Sequence, residues 1–163
     1  MDSPTLAALR VQRFLETEPV VWLSSIRGNG APHLVPTWFA WDGESIVIHS
    51  KPEATKVRNL RRDPRAMLAL GDADDDFDVG LLEARAEVDE HKSDLPAAFL
   101  AKYRDRIAAL GLTPAEFAAT YSASIRLTPA RALGWHGRST PRSLLDAARR
   151  LAFGRPAVPL GAA

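Results

Sequence analysis

The sequence predicts a mainly β protein, an antiparallel β-barrel of six to seven strands with a few short peripheral helices. Two observations support this fold class. Segments that are rich in β-branched and aromatic residues, or that alternate apolar and polar residues, follow one another along the chain, and tight-turn pairs such as Asn29-Gly30 and Asp42-Gly43 separate them. The segments are joined mainly by hairpins with few and short helices, which argues against a doubly wound α/β sheet, and no glycine-rich loop follows any of them, which makes a Rossmann dinucleotide site unlikely.

The composition limits the class of protein further. A chain of 163 residues has the size of one domain, and its 46% hydrophobic residues are enough for one core. The absence of cysteine excludes disulfides, thiolate nucleophiles and cysteine-ligated metal centres. A net charge of +1 is too balanced for general nucleic-acid binding. Because neither a signal peptide nor an apolar stretch of membrane-spanning length is evident, we expect a cytoplasmic protein without membrane contact.

The first half of the chain is predicted to contain a leading helix, three strands joined by tight turns, and a short basic helix. The predicted ranges are about 3–16 for the first helix, 20–26, 31–41 and 45–50 for the strands, and 53–62 for the second helix. The middle strand contains Pro32 and Pro36, which a central strand tolerates poorly. We therefore expect that strand to bulge or to lie at an edge of the sheet.

The second half is predicted to add two strands, two helices and a closing pair of strands. Their ranges are about 66–70 and 79–89 for the strands, 95–110 for the first helix, 113 onward for the second, and 122–127 and 131–135 for the closing pair. Thr113 and Glu116 form a capping-box pattern, and Thr128-Pro129 interrupts the last pair. Residues 1–137 are therefore predicted to be the barrel domain, and the basic residues 138–163 a C-terminal extension.

Residues 49–64 are the strongest candidate for a binding site. A strand end with Ser50 and Lys51 is followed by a helix start with Thr55 and Lys56. Hydroxyl groups, free backbone N–H groups and ammonium groups would then surround one anion, for which phosphate is the natural ligand. On spacing alone, a solvated basic helix explains the segment equally well.

Three other motifs have plainer explanations. The acidic residues of 72–78 together with Glu83 have the carboxylate spacing of a calcium-binding loop, but Phe77 stands where that loop needs glycine, so we expect a solvated acidic loop. The histidines lack metal-site spacing, although His33 and His49 could approach each other on adjacent strands. No serine lies in the GxSxG context of a hydrolase.

The order of the sequence blocks resembles a known superfamily. A leading helix is followed by GxGxPHxxPxWFxWDG over residues 28–43 and by SIVIHSKPEATKVRNLRRDP over residues 45–64. This order resembles the pyridoxamine 5′-phosphate oxidase-like split-barrel superfamily, and within it the actinobacterial branch of reductases that depend on the deazaflavin coenzyme F420. The resemblance covers about residues 5–136, including the closing segment RLTPARALGWHG. It implies a split barrel of the FMN-binding type.

The resemblance also implies a homodimer with a cofactor groove between its two protomers, and a second protomer would cover apolar strand faces such as LVPTWFAW. By position, the segment from Ser50 to Lys56 would hold the cofactor phosphate, and residues 33–38 would lie along the ring system. The cofactor-binding residues that the resemblance implies are His33, Pro36, Trp38, His49, Ser50, Lys51, Thr55, Lys56 and Trp135.

The chemistry that the resemblance implies belongs to the cofactor, so no catalytic side chain is required. The expected reaction is hydride transfer between a deazaflavin and an unsaturated or nitro-type small molecule, with His33, His49 or water as the proton donor. FMN-binding oxidases of the superfamily carry an arginine and a lysine on the strand that here reads PHLVPTWF, and this chain has neither. That departure favours F420. An FMN-dependent oxidoreductase and a non-catalytic protein that binds a cofactor, haem or a related tetrapyrrole stay open as alternatives.

Overall fold

The computed structural model describes residues 4–72, 78–89 and 94–135. The predicted helix cap at residues 2–3, the acidic residues 73–77 and the predicted extension 138–163 lie outside these residues.

The helices are α1 (Pro4–Thr17), α2 (Thr55–Arg62), α3 (Ala97–Ala109) and α4 (Pro114–Thr120). The strands are β1 (Val21–Ile26), β2 (Pro32–Thr37), β3 (Ala40–Trp41), β4 (Ile46–Ser50), β5 (Arg65–Asp72), β6 (Asp78–Asp89) and β7 (Ala123–Trp135). None of the described helices is long and apolar enough to cross a bilayer.

The seven strands form one antiparallel sheet in the order β2-β1-β5-β6-β7-β4-β3. Its two edge strands, β2 and β3, are consecutive in the chain and are separated only by Trp38 and Phe39. Because this connection spans at most about 10 Å, the sheet must curl until its edges approach each other. No ladder joins β2 to β3 in the part of the chain that the structure describes, so the barrel is split there. The predicted mainly β, antiparallel split barrel is confirmed, with seven strands.

Strand β2 lies at an edge of the sheet, as its two prolines predict. A proline has no N–H to donate to a ladder, so Pro32 and Pro36 are accommodated where only β1 pairs with the strand. The prediction of one strand over residues 31–41 is wrong, because the chain leaves the sheet at Trp38 and Phe39 and re-enters as the two-residue β3. At this break the backbone N–H and C=O of Phe39 both bond to the hydroxyl of Tyr103 instead of to a strand.

The closing pair of strands that the sequence predicts is one continuous strand, β7. Strand β4 pairs with β7 only as far as Leu127, so Pro129 lies where one side of β7 has no partner strand. On the other side, the register with β6 shifts between Glu83 and Ala84. A free edge and a bulge are the two settings in which a strand tolerates proline, which explains why Pro129 does not break it.

Two hydrophobic clusters fix the helices to the sheet. In the larger cluster, Val11, Phe14 and Leu15 of α1 pack with α2 and the inner face of the strands. The close approach of α1 needs Gly80, because a Cβ there would lie 2.7 Å from Cγ2 of Val11. The smaller cluster holds the α3–α4 hairpin against β3 and consists of Ala40, Phe99, Tyr103, Ile107 and Phe117. The hairpin therefore covers one edge of the split.

Tyr103 connects this hairpin to the backbone at the split. Its side chain is fully buried, and its hydroxyl accepts a hydrogen bond from the Phe39 N–H at 2.9 Å. The same hydroxyl lies 2.8 Å from the carbonyl oxygen of Phe39 and 2.9 Å from that of Pro19. Burial raises the pKa of Tyr103 to about 12, so the hydroxyl keeps its proton and remains a donor.

We expect Tyr103→Phe to lower the free energy of unfolding by about 1–3 kcal/mol, because it leaves buried backbone groups of Phe39 without their partner. Urea denaturation measures this change. Tyr121→Phe is the matched control, since the Tyr121 ring stacks on Phe117 and its hydroxyl makes no hydrogen bond to the residues that the structure describes. If both variants lost the same small amount of unfolding free energy, the Tyr103 hydroxyl would not stabilise the backbone of Phe39 as described.

Candidate functional site

An open cleft of about 220 Å³ lies at the split of the barrel. Its walls come from the end of β2, the end of β4, the start of α2 and the α3–α4 hairpin. The lining residues are Pro36, Thr37, Trp38, His49, Lys56, Leu110, Phe117 and Tyr121. Flat apolar walls beside an ammonium group are suited to an aromatic ring system that carries an anionic substituent.

The aromatic wall of the cleft is held by ring stacking. The Trp38 ring is parallel within 3° to that of Tyr103, with 4.9 Å between their centroids, and within 13° to that of Phe117 at 5.9 Å. Phe117 in turn stacks on Tyr121 at 4.4 Å. Trp38 therefore belongs both to the smaller core cluster and to the cleft, and the wall is formed before any ligand binds.

The opposite side of the cleft is the N-terminus of α2. The N-cap residue, Ala54, has no side chain that could accept from the first turn, so the backbone N–H groups of Thr55 and Lys56 are free of a side-chain cap. Lys56 lines the cleft, and burial lowers the pKa of its ammonium group. The Nζ atom of Lys51 lies 6.0 Å from the centroid of the Tyr121 ring, at the same mouth. This end of α2 therefore has the properties of an anion site.

Ser50 and Thr55, which the resemblance also assigns to the phosphate, do not line this cleft. Ser50 is buried, and its hydroxyl donates to the backbone carbonyl of Lys51 at 3.3 Å. Thr55 instead lines a second cleft beside α2, where its hydroxyl accepts a hydrogen bond from Arg58 at 3.3 Å.

His33 lies on the inner face of β2, beside buried polar side chains. Nδ2 of Asn59 donates to Oγ of Ser25 at 3.0 Å, and that oxygen lies 3.5 Å from Nδ1 of His33. Burial, followed by the nearby charges of Arg27 and Lys56, lowers the pKa of His33. The imidazole is therefore neutral at pH 7 and close to two cations.

His49 lines the cleft from the end of β4, where its ring makes a T-shaped contact with Phe99 at 5.1 Å between centroids. Strands β2 and β4 are not neighbours in the sheet, so His33 and His49 do not lie on adjacent strands, an arrangement that the sequence allowed but did not favour. Among the described residues there is no cluster of three or more histidines and carboxylates placed to hold a metal ion.

The acidic segment does not have the flanks of a calcium-binding loop. Asp72 pairs with Asp78 across the β5–β6 ladder, so strands rather than helices lead into and out of it. The carboxylate of Asp78 forms salt bridges with Arg10 and Arg13 of α1. The described end of the segment therefore fastens α1 to the sheet.

Trp135 lies far from the cleft of its own chain. Strand β7 pairs Ser124 with His49 of β4, whereas it pairs Trp135, eleven residues further on, with Val79 of β6. At about 3.3 Å per residue, this separation is roughly 35 Å along the strand. The backbone register thus places Trp135 at the other end of the sheet.

Leu110, Phe117 and Tyr121 line the cleft but are absent from the residues that the resemblance implies. The sequence does contain a signal for two of them. Phe117 and Tyr121 are four residues apart, which places them on one face of a helix. The capping box of Thr113 and Glu116 fixes the start of that helix, with the Thr113 hydroxyl accepting from the Glu116 N–H.

Residues 9–136 match the model of the pyridoxamine 5′-phosphate oxidase family. This range includes every residue that lines the cleft. The chain belongs to this family. The resemblance to the split-barrel superfamily in the block order of residues 28–64 is therefore confirmed.

Solved structures with the same fold include an F420 reductase and a haem storage protein. An F420 reductase is 25% identical, with a TM-score of 0.60 over 75% of this chain and 94% of that one. The conserved hypothetical protein Rv2991 from Mycobacterium tuberculosis is 23% identical, with a TM-score of 0.62 over 100% and 94%. The haem storage protein HutZ from Vibrio cholerae is 14% identical, with a TM-score of 0.57 over 79% and 95%. The last two similarities show the fold alone, which oxidoreductases and haem-binding proteins share.

We expect Lys56→Gln to raise the pKa of His33, because it removes a positive charge that disfavours the protonated imidazole. A pH titration of the His33 ring protons by NMR, assigned with His33→Gln, measures the change. Arg104→Gln is the control, since Arg104 is exposed on α3 and is not among the charges that lower this pKa. An unchanged His33 pKa in Lys56→Gln would show that the ammonium group points away from β2.

Proposed function

We propose that this member of the pyridoxamine 5′-phosphate oxidase family is an F420H2-dependent reductase. It would bind the deazaflavin in the cleft and transfer hydride to an unsaturated or nitro-type small molecule. The observation that carries the proposal is the cleft itself, in which an aromatic wall ends at the uncapped, basic N-terminus of α2. The similarity to an F420 reductase supports the same cofactor class.

Different residues of the cleft would hold the ring system and the phosphate of such a cofactor. Trp38 and Phe117 offer flat apolar surfaces for a ring system. Lys51, Lys56 and the free N–H groups at the start of α2 would hold its phosphate. The buried Ser50 would act through its bond to the Lys51 backbone rather than touch the phosphate.

A deazaflavin is proposed in preference to FMN because β2 and the two residues after it carry no permanent positive charge. The strand segment of residues 32–39 has no arginine or lysine, although FMN-binding oxidases of the superfamily are expected to carry both there. The cations are instead Lys56 of α2, which lines the cleft, and Lys51, which directly follows β4 and lies near Tyr121. A cofactor anchored mainly at its phosphate end agrees with that distribution of charge.

When bound, a reduced deazaflavin supplies a hydride for a two-electron reduction. The protein would orient the ring against Trp38 and exclude water with the apolar side chains of Leu110 and Phe117. Of the two histidines considered as proton donors, His49 lines the cleft and His33 does not. His49 is therefore the proposed donor, either directly or through a water molecule.

A homodimer is part of the proposal, because the outer face of the sheet exposes apolar side chains in the part of the chain that the structure describes. Trp22, Leu34 and Met67 are exposed there by 48%, 58% and 37%. Residues that pair with one another extend this apolar face across five neighbouring strands. They are Pro36, Trp22, Ala69, Leu81 and Leu133. A contiguous apolar face of this kind is typical of a protein–protein interface, and a second copy is the occupant that the family resemblance implies.

A second protomer would also complete the site. The cleft of one chain, about 220 Å³, is smaller than the roughly 300–1,000 Å³ usual for ligand pockets. Trp135 lies too far along β7 to reach the cleft of its own chain. It could contact a cofactor only in the partner subunit, which agrees with a groove between two protomers.

We expect Lys56→Ala to weaken F420 binding about ten- to a hundredfold, since the loss of one charge-assisted contact costs roughly 1.5–3 kcal/mol. A fluorescence titration with oxidised F420 measures the affinity. Arg104→Ala removes one exposed positive charge from α3 and serves as the control. An affinity that is equal in wild type and Lys56→Ala would rule out the proposed role of this lysine.

We expect Leu34→Asp to convert a dimer into a monomer of 17.8 kDa, because the new carboxylate would be buried in the apolar interface. Light scattering after size exclusion gives the mass. Leu9→Asp is the matched control, because Leu9 is 59% exposed but lies on α1, away from the sheet face. If the wild-type protein is itself monomeric, the proposed interface is wrong.

A further inference from the structure

A third cleft, of about 440 Å³, lies between α1, β3 and α3 and has a volume usual for ligand pockets. The cleft proposed for the cofactor is lined by other residues. Glu16 and Lys102 are the charged residues of the third cleft. Its other lining residues are apolar, namely Leu15, Ala40, Trp41, Ala98 and Ala101. An apolar concave surface with one amine is suited to an apolar ligand that carries a single polar group.

The ammonium group of Lys102 is buried against an aromatic ring. Its Nζ atom lies 3.6 Å from the centroid of the Phe39 ring, which is fully buried, and 5.6 Å from that of Tyr103. Nζ makes no hydrogen bond to the residues that the structure describes. A lysine usually keeps its ammonium group in water, where all three N–H groups find acceptors. Here the face of the Phe39 ring stabilises the positive charge instead.

The surroundings of Lys102 also make its amine available as a nucleophile. Burial lowers the pKa of Lys102 to about 8, with an opposing effect from the charge of Glu18 and a further lowering by Arg106. At pH 8 roughly half of these side chains are therefore neutral. Only a neutral amine has the lone pair that attacks a carbonyl carbon, and desolvated lysines are the ones that form Schiff bases in enzymes.

We propose that this third cleft binds apolar aldehydes and that Lys102 captures them as a Schiff base. In the reaction Nζ forms a bond to the carbonyl carbon, and the carbon–oxygen bond breaks to release water. An aldehyde and an ammonium group together give a protonated imine and water, so atoms and charge balance without an oxidant or a reductant. The flexible stem of Lys102 lets Nζ move from the Phe39 ring to the apolar wall of the cleft.

The charges around the cleft favour an aldehyde over other partners of an amine. A carboxylate ligand would lie beside Glu16, which lines the cleft, and near Glu18, which acts on the same amine. Reaction with carbon dioxide would place a negative carbamate at the electron-rich face of Phe39. A protonated imine keeps a positive charge on the same nitrogen, so the contact with Phe39 can be retained. The substituent of the aldehyde would pack against Trp41.

The experiment measures which lysine of the full chain reacts with an apolar aldehyde. The protein is incubated at pH 8 with a limiting amount of octanal, cyanoborohydride reduces the imines, and peptide mass spectrometry gives the labelled fraction of each lysine. The lysines of the chain are Lys51, Lys56, Lys92 and Lys102. Glyceraldehyde is the polar control probe. Lys102→Arg keeps the positive charge but forms no imine, so it confirms the assignment of the label.

We expect octanal to label Lys102 about tenfold more than the exposed Lys51, because a neutral amine and an apolar wall act together. Glyceraldehyde should show no such preference. Ala101→Phe fills the cleft without changing the amine and should remove most of the octanal preference. Ala108→Phe is the matched control and should keep it, since Ala108 is exposed on the same helix but outside the cleft.

Urea denaturation shows that each variant is folded under the labelling conditions. Equal octanal labelling of Lys102 and Lys51 in the wild type would overturn the inference. The same preference for Lys102 with glyceraldehyde, or an unchanged preference in Ala101→Phe, would overturn the role of the apolar cleft.

Discussion

The sheet stays open at β2, an edge strand that contains two prolines. Pro32 and Pro36 have no N–H groups to donate to a ladder, which suits a strand that pairs only with β1. The chain leaves β2 through Trp38 and Phe39 and starts the opposite edge of the sheet at β3. The gap between the two edges is the place where the cleft opens, so the fold and the candidate site share one cause.

Local sequence predicted the elements well but not how far each of them extends. Turn residues such as Asn29-Gly30 and the capping box at Thr113 act within a few residues, and the structure has them where they were expected. The break at Phe39 was missed because the partner of its backbone is Tyr103, 64 residues away. The continuity of β7 through Pro129 depends on where β4 ends, which no local pattern encodes.

The candidate site could be predicted only through the family resemblance. Of the nine residues that it implies, Pro36, Trp38, His49 and Lys56 line the cleft. The aromatic side chains of α4 were missed because they reach the cleft through the packing of the α3–α4 hairpin on Ala40, a contact between distant parts of the chain. On residue spacing alone, a solvated basic helix explained α2 as well as an anion-binding site did. Its uncapped N-terminus beside an aromatic wall supports the anion site instead.

The assignment of the cleft to a deazaflavin is tested most directly by the cofactor that the protein prefers. The absorbance of the purified protein is recorded first, and fluorescence titrations with oxidised F420 and with FMN follow in parallel. We predict a colourless protein that binds F420 with micromolar or tighter affinity and FMN much more weakly. A yellow protein with flavin absorbance, or tighter binding of FMN than of F420, would contradict the assignment and identify a flavin site in the same cleft.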